Sequence, residues 1–210
     1  MSYSQKLPSI CEVRSGYTAK GRLEPVLEGG VPAIQLRDLK GDQPFDPSGA
    51  ALYQLDRSFD RYWTQAGDVL FRSRGDRNTA VMIPPNSTGA AIAVLPLIVL
   101  RPNQDVVYPR YLAWFINQPT TQRYFDKCAR GTNMRMIPKA ALDDLEVELP
   151  DLNTQKLIAE LDVLARREHE LAHELADKKF ELMGLALLQQ ARKMPTQSNN
   201  NKAIATRGEP

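Results

Sequence analysis

The segment "NTQKLIAELDVLARREHELAHELADKKFELMGLALLQQARK" (Asn153–Lys193) differs in character from the rest of the chain. It contains no proline, and its single glycine is Gly184. Leucines recur in it at alternating spacings of four and three residues, which is the heptad pattern of a coiled-coil helix. The leucines in this pattern are Leu157, Leu161, Leu164, Leu171, Leu175, Leu182 and Leu185. We call them the leucine stripe, and they predict one long helix over residues 153–193.

A helix of about 40 residues is roughly 60 Å long. The stripe could pack against the globular part of the same chain, but its length and regularity favour a partner helix. Glu168 and Lys178 interrupt the stripe with opposite charges. In an antiparallel pair of identical helices these two residues could face one another, so we expect a homodimer through this helix.

Residues 1–152 are rich in turn signals that separate short apolar runs, and they predict a globular domain. The fold class expected is mixed α/β (α+β), with an irregular, mainly antiparallel sheet followed by the long helix. The predicted strands are Ala33–Leu39, Asp68–Arg72, Thr79–Ile83, two strands within Ala90–Leu100, and Leu145–Leu149; the predicted short helices are Pro109–Asn117 and Thr121–Ala129. Residues 194–210 are polar and aperiodic and are predicted to be a disordered tail.

The only two histidines lie in "HELAH" (His169–His173), which matches the H-E-x-x-H pattern of zinc proteases. The heptad places both histidines on the helix face opposite the leucine stripe. A catalytic zinc site needs a third protein ligand and an enclosed cleft, and no histidine remains to supply that ligand. We therefore expect no metal centre, no cofactor and no catalytic residue in this chain.

Composition excludes several classes of protein. The net charge is only +2 over 210 residues, so no global basic field indicates a nucleic-acid partner. Cys11 and Cys128 are isolated, which is typical of a reduced, cytoplasmic protein. The longest apolar run, Ala90–Leu100, is too short to span a bilayer and contains Pro96, so no membrane association is expected.

Positive charge nevertheless gathers locally in three groups. "FRSRGDR" (Phe71–Arg77) follows an apolar run, "RYFDKCARGTNMRMIPK" (Arg123–Lys139) carries a second group, and a weaker third group follows Gly16. Arginine can bind guanine or phosphate through two parallel hydrogen bonds. The candidate DNA-binding residues are Lys20, Arg22, Arg72, Arg74, Arg77, Lys127, Arg130, Thr132, Asn133 and Arg135. Charge alone does not distinguish them from ordinary surface loops.

The order of several segments supplies further information. "ICEVRSGYT" (Ile10–Thr18), "AGDVLFRSRG" (Ala66–Gly75) and "GTNMRMIPKAALDDLEVELPDLNTQKLIAELD" (Gly131–Asp162) precede the long helix. This arrangement, over about residues 7–190, resembles the specificity subunit of type I restriction–modification enzymes: one target-recognition domain followed by its helical spacer. Full-length family members carry two of each. The family's usual Glu-Gln pair before the helix has Thr154 in place of the glutamate.

The resemblance implies a non-catalytic subunit that recognises half of a bipartite double-stranded DNA site. It implies methyltransferase (modification) subunits as partners, which bind S-adenosylmethionine and methylate adenine, and it allows a restriction subunit that translocates DNA. Antiparallel pairing of two chains would present two inverted half-sites, because site symmetry mirrors protein symmetry. The alternative is a coiled-coil adaptor or inhibitor in a phage-defence system that binds protein rather than DNA.

Overall fold

The structure is a computed structural model that describes residues 3–41, 43–55, 59–131 and 135–193. It divides into two compact units, Met1–Val163 and Leu164–Pro210, which are described separately below. The predicted tail, residues 194–210, lies outside the described residues.

The first unit is built on antiparallel strand pairs. Its strands, within the described ranges, are β1 (Tyr3–Lys6), β2 (Cys11–Ser15), β3 (Pro25–Val26), β4 (Val31–Ile34), β5 (Leu52–Tyr53), β6 (Val69–Arg72), β7 (Ala80–Met82), β8 (Ile92–Ala93), β9 (Leu97–Pro102) and β10 (Glu146–Leu149). They form sheets ordered β2-β9-β6-β7, β3-β5-β4-β8 and β1-β10, in which only the β4–β8 pairing is parallel among the described residues. The mixed, mainly antiparallel fold class is thereby confirmed.

The β2-β9-β6-β7 sheet is the centre of this unit because both of its faces are buried. Val69 and Phe71 of β6 point into one apolar cluster with Leu100, and Leu70 points into another with Val99. Successive residues of a strand face opposite sides of the sheet, so a strand buried on both sides is a continuous apolar run. This explains why "VLFR" has no polar residue before Arg72.

The helices of the first unit cover one face of this sheet. They are α1 (Leu7–Ile10), α2 (Pro109–Asn117), α3 (Pro119–Cys128), α4 (Lys139–Asp143) and the beginning of α5 (Leu152–Lys193). Proline at the first helical position starts both α2 and α3, where its missing N–H costs no hydrogen bond. Asn117 at the end of α2 pairs with edge strand β7, since its side chain accepts from Ala80 N and donates to Ala80 O, both at 2.8 Å.

The expectation for Ala33–Leu39 was wrong beyond Ile34. The chain turns into a short 3-10 helix over Leu36–Asp38. The Gln35 N–H donates to Asp38 Oδ2 at 2.7 Å, and this local hydrogen bond competes with continued strand pairing. The sequence also gave no indication of β1, which pairs with β10.

The residue that anchors the first turn of α5 is Gln155, which is 1% exposed. Its side-chain oxygen accepts from Tyr108 N at 2.8 Å, and its Nε2 donates to Val106 O at 3.1 Å and Pro150 O at 2.8 Å. Asp151 caps the same helix by accepting hydrogen bonds from the N–H and hydroxyl of Thr154, and these hydrogen bonds lower the pKa of the Asp151 carboxyl. Thr154 thus completes the cap of this helix.

The long helix runs without interruption for 42 residues. The seven side chains of the leucine stripe are between 47% and 67% exposed. No helix in the described part of the chain has a stretch long and apolar enough to cross a membrane.

Replacing Gln155 by alanine should lower the free energy of unfolding by about 3 kcal/mol, because three backbone groups lose a buried partner. Urea denaturation followed by circular dichroism measures the change. Asn153→Ala is the control, because Asn153 is an exposed residue in the same turn of the helix. It should lower the free energy of unfolding by about 0.5 kcal/mol or less. Equal stability of the Gln155→Ala and Asn153→Ala variants would contradict the anchoring role.

Candidate nucleic-acid interface

The arginine-rich segment Phe71–Arg77 begins inside the core and ends at the surface. Phe71 is fully buried in β6, Arg72 is half-buried, and Arg74 and Arg77 are exposed. Two hydrogen bonds close the loop that follows: Arg72 N donates to Thr79 O at 2.9 Å, and Asn78 Nδ2 donates to Arg72 O at 2.9 Å. The exposed arginines are therefore carried by a loop whose ends are fixed to the sheet.

The second basic segment packs directly against the first. Ile137 N donates to Ser73 O at 2.7 Å, and Gly75 N donates to Arg135 O at 3.1 Å. Met136 forms isolated antiparallel bridges with Arg74 on one side and with Arg130 on the other. We call this backbone pairing, of residues 73–75 with residues 135–137 and of Arg130 with Met136, the loop junction. It brings together two predicted groups that are far apart in sequence.

The loop junction sets the spacing of two guanidinium groups. Residues opposite one another in an antiparallel pair point to the same face, and neighbouring strands lie about 4.8 Å apart. Arg74 and Arg130 therefore share a face, with their backbones roughly 10 Å apart and Met136 between them. Met136 is 38% exposed, and Arg74 Nη2 lies 4.0 Å from its sulfur.

Two glycines shape the turns of the loop junction. Gly75 has a φ of 111° and Gly131 a φ of 94°, both in the region that side chains with a Cβ rarely adopt. Thr132 and Asn133, which were predicted to contact DNA, lie outside the described residues.

The remaining cations of the second group differ in their surroundings. Arg135 is half-buried and forms an ion pair with Asp126 of α3, so part of its charge is neutralised. Lys127 is exposed in the last turn of α3, one helical turn from Arg123. Arg74, Arg77 and Arg130 have no carboxylate partner among the described residues.

The loop that carries the third basic group begins at the same end of the central sheet as the loop after β6. Ser15, the last residue of β2, pairs with Ile98, which also pairs with Phe71 of β6. Gly16 N then donates to Leu97 O at 2.9 Å. A Cβ on Gly16 would lie 2.7 Å from that oxygen, so only glycine allows this close approach. The exposed Lys20 and Arg22 follow in the loop. No hydrogen bond or ion pair joins Lys20 or Arg22 to the loop junction within the described ranges.

Sequence reasoning missed two further arginines beside this end of the sheet. Arg14 and Arg61 line a cavity of about 390 Å³ together with Thr18 and Tyr62. Arg14 Nη1 donates to Arg61 O at 3.0 Å, and the Arg61 guanidinium lies 4.8 Å from the centre of the Tyr62 ring. Arg14 lies in β2 opposite Val99, a pairing that no local pattern in "CEVRS" reveals.

The described residues contain no group of three or more His, Cys, Asp or Glu side chains that could hold a metal ion. The described part of the site consists of cations and one exposed methionine. This set can bind phosphates and base edges through hydrogen bonds.

Comparison with known proteins gives a family for this arrangement. Residues 4–176 match the model of the "type I restriction modification DNA specificity domain". The chain belongs to this family. The specificity-domain match covers both basic loops, β10 and the first half of α5.

Individual relatives agree with the match. The chain is 26% identical over 163 residues to the putative type I restriction enzyme MjaX specificity subunit of Methanocaldococcus jannaschii, an alignment that covers 75% of this chain and 37% of that protein. A solved HsdS subunit from Thermoanaerobacter tengcongensis has a TM-score of 0.62 at 16% identity, covering 95% of this chain and 51% of the other. A chain from a structural study of assembly and conformational transition of a type I R-M system has a TM-score of 0.65 at 19% identity. The match covers 90% of this chain and 45% of the other.

This specificity domain therefore spans about half, or less, of the length of the relatives that it matches. The structural similarity, at less than 20% identity, concerns the fold.

Replacing Gly75 by alanine should destabilise the loop junction, because alanine at a φ of 111° is strained although the space around it is open. We expect a loss of about 1 kcal/mol in the free energy of unfolding. Gly21→Ala is the matched control, since Gly21 also has open space but no positive φ. Amide hydrogen exchange in the loop around residue 75 should be faster in the Gly75→Ala variant than in the wild type. Exchange in the loop around residue 21 should stay the same in the Gly21→Ala variant. Unchanged exchange around residue 75 in Gly75→Ala would contradict the assigned strain.

Proposed function

We propose that this chain is a non-catalytic DNA-specificity subunit that reads one half of a bipartite site. The observation that carries this proposal is the shared face of Arg74 and Arg130 at the loop junction. Family membership supports DNA recognition and does not favour the alternative, a coiled-coil adaptor that binds only protein.

The distribution of ion pairs supports an external anion at this face. Some cations of the first unit have carboxylate partners, as Arg101 has with the fully buried Asp68 at 2.8 Å and Lys139 with Asp143 at 2.8 Å. Arg74 and Arg130 have none among the described residues and are exposed. With a net charge of only +2, the local grouping supplies the attraction to DNA.

The proposed interface divides its tasks. Arg72, Arg74, Arg77, Arg130 and Arg135 would supply base and phosphate contacts at or beside the loop junction. Lys20, Arg22 and Lys127 would supply further contacts, as would Thr132 and Asn133, which lie outside the described residues. Substitution separates the two tasks experimentally.

The leucine stripe supports a homodimer. A coiled-coil partner would bury seven leucines that are roughly half to two-thirds exposed in the single chain. We propose that two copies of α5 pair antiparallel, with Glu168 near Lys178 of the second copy. The twofold axis would then place two DNA-reading units in inverted orientation, with a spacer set by helix length.

The end of α5 has a second apolar face that suits a further partner. Phe180, Met183 and Leu187 recur at spacings of three and four on the side opposite the stripe, and each is at least 60% exposed. We propose that a methyltransferase subunit packs there. That subunit would bind S-adenosylmethionine and methylate adenine in the cytoplasm, and a restriction subunit could join the same assembly.

The DNA proposal is tested by selecting bound sequences from a pool of random duplexes with the full chain, followed by titration of the selected duplex. Arg74→Ala and Arg130→Ala should each weaken binding by about 1–3 kcal/mol, or roughly 5- to 150-fold. Removing an arginine that reads a base should relax the sequence preference at one position of the selected site. Removing an arginine that binds phosphate should weaken binding to all sequences alike and reduce the salt dependence of binding.

Arg167→Ala is the control, because Arg167 is an exposed arginine that pairs with Glu170 on α5. It should bind the selected duplex like the wild type. Wild-type affinity in an Arg74→Ala/Arg130→Ala double variant would rule out the proposed DNA-binding face.

The dimer is tested by analytical ultracentrifugation. Glu168→Lys should weaken the dimer, because it places Lys178 opposite a like charge, and Glu168→Lys/Lys178→Glu should restore it. Leu164→Lys/Leu175→Lys should give a monomer, whereas Asp177→Lys, outside the stripe, should leave the dimer intact. A monomeric wild-type chain, or a Glu168→Lys/Lys178→Glu variant no better than Glu168→Lys, would overturn the antiparallel pairing.

A further inference from the structure

The two histidines of α5 form a pair that DNA recognition does not use. His169 and His173 are four residues apart on a helix, so their side chains share one face. That face lies opposite the leucine stripe, because each histidine is about half a helical turn from the nearest leucines of the stripe. Both imidazoles are exposed and can be reached from solvent.

The distance between the two rings matches a metal chelate. Nε2 of His169 lies 3.1 Å from Nε2 of His173, and the ring centres are 4.3 Å apart at an interplanar angle of 84°. Metal–imidazole bonds are about 2.0–2.1 Å long, so two nitrogens in neighbouring positions of a square or octahedron lie about 2.9 Å apart. In a tetrahedron the same bonds separate the nitrogens by about 3.4 Å.

The observed separation lies between these two values, so it fits either arrangement. The preference among metals follows from the ligand set: two imidazole nitrogens completed by water oxygens form the tetragonal N,O set that Cu²⁺ and Ni²⁺ accept, whereas Zn²⁺ prefers a tetrahedron. In the metal-free chain the two Nε2 atoms share a hydrogen bond. Chelation replaces it when both rings adopt the tautomer with the proton on Nδ1, which leaves both Nε2 lone pairs free and requires no oxidant or reductant.

We propose that His169 and His173 form a two-point surface site for a divalent transition metal, with Cu²⁺ bound most tightly and Ni²⁺ preferred over Zn²⁺. The described residues supply no third protein ligand. The other coordination positions are therefore open to water or to a donor from a bound partner. This is a chelating site on a helix, distinct from the enclosed three-ligand zinc centre that the "HELAH" pattern would require for catalysis.

A bound metal would also stabilise the helix. It joins residues on successive turns near the middle of the 42-residue helix. A ligand that binds the folded helix more tightly than the unfolded chain raises stability in proportion to the logarithm of its concentration.

The experiment titrates the full chain with CuCl₂, NiCl₂ and ZnCl₂ by calorimetry, and records the electron paramagnetic resonance spectrum of the Cu²⁺ form. We expect one strong site per chain, hyperfine coupling to two nitrogens, and tighter binding of Ni²⁺ than of Zn²⁺. His169→Ala or His173→Ala should weaken Cu²⁺ binding on the order of 100-fold, because a chelate becomes a single contact.

The matched control keeps two histidines but changes their spacing. His173→Ala/Glu174→His moves the second imidazole to another helix face and should bind no better than His173→Ala. Ni²⁺ should raise the melting temperature of the wild type and not of this variant. Wild-type affinity in the respaced variant, or tighter binding of Zn²⁺ than of Ni²⁺, would overturn the proposal. The His169→Ala/His173→Ala variant should keep wild-type duplex binding, so the metal site and the DNA proposal can fail independently.

Discussion

The backbone pairing at the loop junction is the constraint on which the proposed DNA-reading face depends. Ser73 accepts from Ile137 N at 2.7 Å and donates through its own N–H to Pro96 O at 3.1 Å, so two loops and the turn before β9 are joined at one residue. Main-chain hydrogen bonds fix the positions of Arg74 and Arg130, while their side chains stay free to contact a ligand. A nearly neutral domain thereby concentrates cations on one face.

Local patterns predicted the parts of the fold that depend on local interactions. The heptad predicted α5, which spans Leu152–Lys193, and Pro109 predicted the start of α2. The pairings that the patterns missed join residues distant in sequence, such as Tyr3 with Leu149. The basic groups were visible in the sequence as charge clusters, but their meeting at Met136 depends on those long-range contacts.

Buried polar residues fix the start of β6 and the start of α5. Asp68 is fully buried at the start of β6, and both of its carboxylate oxygens accept hydrogen bonds of 2.8 Å from Arg101. Gln155 likewise satisfies three backbone groups at the start of α5. Neither residue stands out in an apolar-periodicity analysis, because each is a single polar side chain whose partners come from other elements.

Strands β1 and β10 lie side by side, with Lys6 opposite Glu146 and Tyr3 opposite Leu149. The polypeptide thus enters and leaves most of the globular unit at a single point, two residues ahead of α5. Recombination between related genes with breakpoints in these two strands would exchange the whole proposed DNA-reading face while the inherited helix stayed unchanged. Such shuffling could diversify what is recognised without requiring any new assembly.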